Sequence, residues 1–185
     1  MSILNTPLHD YIEVLDGKYG IHTDFRRWLE FEKLMKTEPL SKRYAEILKK
    51  YYISLPPKFY EAVYALCKFY AGGVMPQADK VTKGDRLYSF EQDAELIFCA
   101  FYSQYHIDLE KENLHWWKFL ALLKGLDENS RFMQVLRLRG TDPDTIKDKN
   151  ERRRIIALKR QYAVRDVGSH KIKDDCFAEK ISMLF

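Results

Sequence analysis

At 185 residues the chain can bury one sizeable core without disulfides or a structural metal, and a single domain is expected. Hydrophobic residues make up 46% and aromatics 14%, with 12 Tyr and 11 Phe, which excludes a disordered chain. The net charge of +4 is too small to mark a nucleic-acid binder by itself.

The charge is unevenly placed. Residues 85–113 hold seven acids against two bases, and residues 147–165 hold eight bases against two acids. That pattern suits an acidic partner or contacts between copies. Cys67, Cys99 and Cys176 form no CxxC pair and are expected to be buried thiols in a reducing compartment. The first ten residues show no secretory signal, and no apolar run approaches the roughly 18–20 residues of a membrane span. The expectation is a cytoplasmic protein without a membrane segment.

In chain order, Tyr11-Ile12-Glu13-Val14 and the run after Asp16-Gly17 read as a β-hairpin over 11–22, with Asp16-Gly17 as a type I′ turn. Asp24 caps a helix running to about Lys36, whose apolar face is Phe25, Trp28, Leu29 and Met35, interrupted by Glu32. A second helix spans about Ser41 to Tyr52. Pro56-Pro57 opens a third, which carries Phe59, Val63, Leu66, Cys67 and Tyr70 and stops at Gly72-Gly73. Residues 72–88 have no period and read as a long loop.

Ser89-Phe90-Glu91-Gln92 is a capping box for a fourth helix bearing Ile97, Phe98, Phe101 and Tyr105. The fifth, about Leu114 to Lys124, is apolar nearly all round and is expected to be the most buried element. A sixth spans about Ser130 to Arg139. A seventh, about Thr145 to Tyr162, is strongly basic. The tail 166–185 is irregular and ends in apolar residues. The fold expected is mainly α: a compact bundle of six to seven helices with a small N-terminal hairpin, one domain over 1–165 and a tail.

No chemistry-bearing constellation emerges. The histidines lack metal-ligand spacing, and no Cys/His cluster forms. His115 has two readings, a general base or a helix-start histidine hydrogen-bonded within the core; without a partner acid or nucleophile the second is preferred. Glu91, Asp93 and Glu95 complement a helix dipole more simply than they hold metals. Trp116-Trp117 reads as core before it reads as a base-stacking platform. No catalytic residue, cofactor or metal is assigned. The expected core includes Trp28, Phe98, Phe101, His115, Trp116, Trp117 and Phe119. The candidate partner-binding residues are Arg152, Arg153, Arg154, Lys159 and Arg160, against the plain alternative of a solvated helix face.

Three stretches carry a resemblance. They are Thr23-Asp24-Phe25-Arg26 with Trp28-Leu29-Glu30-Phe31, then Phe90 to Ala94 running on to Tyr105-His106-Ile107-Asp108-Leu109, then Leu114-His115-Trp116-Trp117-Lys118-Phe119. With the basic helix that follows, they resemble a bacteriophage family named for the product of gene fifteen in a tail-gene cluster of phages of Gram-positive bacteria. The resemblance runs from about Leu8 to Tyr162. It implies no catalytic residues. It implies a tail assembly chaperone that binds the tape-measure protein, with the tail-tube protein or a second chaperone as further partners and homo-oligomers compatible with the charge pattern. The expected location is the host cytoplasm, and the expectation is absence from the mature virion. The alternatives are a structural tail component and a nucleic-acid-binding module that uses the basic helix.

Overall fold

The computed structural model describes residues 8–15, 17–37, 40–72 and 87–165, apart from the side chains of 32–33, 35–37 and 40–44. The expected 72–88 loop lies outside that range over 73–86, as does the tail from 166. Seven α-helices and one two-stranded antiparallel sheet are present among the described residues. They divide into two compact units, one holding 8–72 and 113–121, the other 87–112 and 122–165.

In the first unit, β1 (Tyr11–Val14) pairs with β2 (Gly17–Gly20), Val14 facing Gly17 and Tyr11 facing Gly20. Leu15 is a turn residue, whereas Gly17, expected in the turn, lies in β2. Gly17 belongs to the ladder, opposite Val14. Register explains the difference. This pairing keeps Ile12 and Val14 buried with Glu13 outside, and a one-residue slip would reverse that.

Helix α1 (Phe25–Thr37) starts where Asp24 Oδ1 accepts the Arg26 N–H at 3.0 Å. Its buried face is Phe25, Trp28 and Phe31, whereas Leu29 is only half-buried. Trp28 is fully buried and packs on Phe31, Tyr51 of α2 (Leu40–Tyr51) and Phe69 of α3 (Phe59–Tyr70), with ring centroids 4.6–5.3 Å apart. Helix α3 begins two residues after Pro57, behind an extended Lys58 without a side-chain cap. The chain stays extended there because the Ile53 N–H donates to the Gly20 carbonyl (2.8 Å) and Pro56 is buried. Six of the twelve α3 residues are buried, Cys67 among them, and burial pushes that thiol up to about 12.

Helix α5 (Trp116–Lys124) buries only Trp116, Phe119 and Leu123, so it is not the most buried element expected. Trp117, Leu120 and Leu122 are half-exposed, because an all-round apolar composition does not supply neighbours on every side.

In the second unit, α4 (Ala94–Tyr105) is preceded by a turn in which Ser89 Oγ accepts the Gln92 N–H at 3.4 Å. The reciprocal bond comes from Asp93, whose Oδ2 accepts the Ser89 N–H at 2.9 Å. Gln92 instead brackets the backbone of Arg165, accepting its N–H at 2.8 Å and donating to its carbonyl. Asp93 is buried because Arg139, in α6 (Arg131–Gly140), donates to both its oxygens at 2.7 and 2.8 Å. Arg139 also donates to the carbonyls of Leu87 (2.9 Å) and Tyr162 (2.6 Å). One guanidinium thus ties together the approach to α4, α6 and the end of α7 (Lys149–Gln161).

Helix α7 begins four residues later than expected, after a short 3-10 turn at Pro143–Thr145. Asp148 caps it, accepting the Glu151 N–H at 2.7 Å. The Ile146 carbonyl, outside the helix, is taken by the Arg152 guanidinium at 2.7 Å.

Candidate partner-binding surfaces

Two of the signature stretches meet in the first unit. The Trp116 N–H donates to the Thr23 carbonyl (2.7 Å), the Phe25 N–H donates to the Leu114 carbonyl (2.9 Å), and Asp24 and His115 form an antiparallel bridge. The two tryptophans then close α3. Trp116 Nε1 donates to the Tyr70 carbonyl at 2.9 Å, and Trp117 Nε1 donates to that of Phe69 at 2.7 Å. Each indole also stacks on the ring of the residue it caps, at 5.2 and 4.7 Å. The last-turn carbonyls of a helix lack intrahelical donors, so the pair serves as a C-cap. Gly72 completes it at φ 81°, a conformation that favours glycine.

His115 starts α5. Its Nδ1 accepts the Trp117 N–H at 3.1 Å, and its Nε2 donates to the His9 carbonyl at 3.0 Å. That bonding needs the neutral ring. Burial holds His115 below its ordinary value of 6.5, outweighing the His9 hydrogen bond and the Asp10 charge. The neutral ring therefore stabilises the fold fully above pH 6.5, and the contribution is lost as pH falls through the lower folded value. His115→Asn keeps an acceptor for the cap and removes the titration. Its unfolding free energy is expected to fall less steeply than wild type between about pH 6.5 and 5, read by urea unfolding.

The groove beside this bridge, about 550 Å³, is lined by His22, Asp24, Arg26, Arg27, Asn113 and His115 among others. Arg26 pairs with Asp24 at 2.9 Å, and the Arg27 guanidinium donates to the Lys50 carbonyl at 3.1 Å. Among the described residues no group of His, Cys, Asp and Glu is placed to hold a metal ion.

The structure separates the five basic candidates of α7. Arg152 is half-buried and donates to the carbonyls of Ile146 and Asp144. Lys159 is half-buried and donates to the Thr141 carbonyl at 2.6 Å, beyond the end of α6. These two fasten the helix. Arg153, Arg154 and Arg160 are exposed, and Arg154 reaches Glu151 at 3.5 Å. Of the expected core residues, Trp28, Phe101, Trp116 and Phe119 are buried. Phe98, His115 and Trp117 are half-buried, Phe98 stacking on the exposed Tyr102.

A second surface was not read from the sequence. In the link from α2 and the first turn of α3, Ile53, Leu55, Phe59 and Tyr60 are 68%, 46%, 48% and 63% exposed. Four large, mostly apolar side chains within eight residues are thus open to solvent, and exposed apolar surface is what interaction sites present. The backbone beneath is fixed by the Ile53–Gly20 and His22–Tyr51 hydrogen bonds and by Tyr52, whose hydroxyl donates to the Ala62 carbonyl at 2.9 Å. Phe59, expected on the apolar face of the third helix, is exposed instead because it stands in the first turn, ahead of the buried Ala62 and Val63.

A family model described as "Bacteriophage Gp15 protein" matches residues 4–164. No curated protein and no solved structure matches the chain.

Proposed function

We propose that this chain, which belongs to the bacteriophage Gp15 family, is a tail morphogenesis protein that acts as an assembly chaperone for the tape-measure protein. The observation that carries this reading is the apolar ridge at Ile53, Leu55, Phe59 and Tyr60. A tape-measure protein is a long amphipathic helix whose apolar stripe drives self-association. A ridge of exposed aliphatic and aromatic side chains offers that stripe a competing surface. Because the ridge is already held by backbone hydrogen bonds, little ordering cost opposes binding. Release follows when tube subunits bind the helix more tightly, by mass action. In this reading the protein works in the host cytoplasm, performs no catalysis and is absent from the finished virion.

The test is co-expression with the tape-measure protein of the same phage. Wild type is expected to keep that protein in the soluble fraction and to co-purify with it. Leu55→Asp with Phe59→Asp is expected to lose both effects at an unchanged unfolding midpoint, since exposed positions alter stability by only about ±0.5 kcal/mol. An insoluble tape-measure protein with wild type present, or this chain found as a stoichiometric part of purified virions, would overturn the reading.

A further inference from the structure

The two faces of α7 differ in kind. Arg152, Ile155, Ile156, Leu158 and Lys159 are half-buried, while Lys149, Arg153, Ala157 and Arg160 are all exposed. These four, among the eight exposed residues of the helix, fall at helical spacing along one line. Among the described residues neither Arg153 nor Arg160 pairs with a carboxylate. They stand about 10 Å apart along the axis, and the small side chain between them is Ala157. An alanine between two cations leaves room for the backbone of a second helix to approach closely at that point, near the lower end of the roughly 8–10 Å range of helix–helix distances. A phosphate backbone would need no such gap.

We infer that the outer face of α7 is a docking strip for an acidic helix, which crosses over Ala157 and places one carboxylate against Arg153 and another against Arg160. The inference rests on the chaperone reading only in taking the partner to be a helical protein. It gives the second unit a recognition role of its own, by charge and shape, separate from the apolar ridge of the first.

The probe is a synthetic alanine-based helical peptide with two glutamates at the Arg153–Arg160 spacing, with its lysine counterpart as the opposite. Binding is followed by NMR shifts of α7 amides in the full chain. The glutamate peptide is expected to perturb Lys149 to Arg160 at low salt and to lose affinity as salt rises. The lysine peptide is expected to do nothing. Arg153→Glu with Arg160→Glu should weaken the glutamate peptide about tenfold and admit the lysine peptide instead, with the unfolding midpoint unchanged. Ala157→Trp keeps every charge and should block binding by bulk.

Three outcomes overturn the strip. These are no perturbation of α7 by the glutamate peptide, undiminished binding to Ala157→Trp, or tighter binding of a random-sequence DNA duplex than of the peptide at the same residues. Failure here leaves the chaperone reading standing if the tape-measure protein still becomes soluble through the ridge. Peptide binding without that solubility would leave the strip standing alone.

Discussion

Arg139→Ala is expected to lower the unfolding free energy by about 3–5 kcal/mol, the usual cost of removing one partner of a buried ion pair. The side chains of Arg139 and Asp93 are 10% and 3% exposed. Removing the guanidinium leaves the Asp93 carboxylate with the Ser89 N–H as its remaining bond among the described partners. It also takes a donor from the carbonyls of Leu87 and Tyr162. The pair's net worth is a separate question, because a buried ion pair replaced on both sides by apolar residues is often neutral. Here that exchange is expected to fail. Asp93→Leu with Arg139→Met orphans the Ser89 N–H and two carbonyls, which should hold the double variant about 1–3 kcal/mol below wild type. Urea unfolding with m unchanged reads both values. A double variant as stable as wild type would mean that water satisfies those backbone groups and the network contributes specificity alone.

The same residues mark the limit of what the sequence discloses. Helix positions follow from periodicity and caps: Asp24 accepts the N–H expected of a cap, and Ser130 caps the helix expected to start there, whereas the Asp148 cap was not read. Local patterns do not reveal long-range polar partners. Asp93 lies among acids that suggest dipole complementation, and the cation that buries it is 46 positions away. The seventh helix shows this limit for the candidate site. Its basic residues stand out in the sequence, but only the fold shows that Arg152 and Lys159 are spent on carbonyls while Arg153 and Arg160 face outward. The apolar ridge was missed for a related reason. An apolar residue after a proline pair reads as core unless the neighbours that would cover it are known. Gly17 joined the ladder and not the turn because burial of Ile12 and Val14 outweighed the Asp-Gly preference.

The second large effect is expected at Trp116, which is 1% exposed, stacks on Tyr70 and Phe119, and caps α3. Trp116→Ala opens a cavity and is expected to cost about 3–5 kcal/mol. Trp116→Phe separates packing from capping. It keeps most of the apolar contact and leaves the Tyr70 carbonyl without its indole donor, a loss of about 1–3 kcal/mol. Trp117→Phe removes a bond to the Phe69 carbonyl from a half-buried position, and that carbonyl keeps the Gly72 N–H at 3.0 Å, so its cost should fall below that of Trp116→Phe. Thermal or urea unfolding of the three variants gives the order Trp116→Ala, Trp116→Phe, Trp117→Phe from most to least destabilised. Equal losses for the two phenylalanine variants would show that burial does not set the worth of these caps. A scaffold role also requires that Trp117→Phe, folded at low temperature, keep its partner binding. A loss of binding there without a loss of stability would move the tryptophan pair from support to surface.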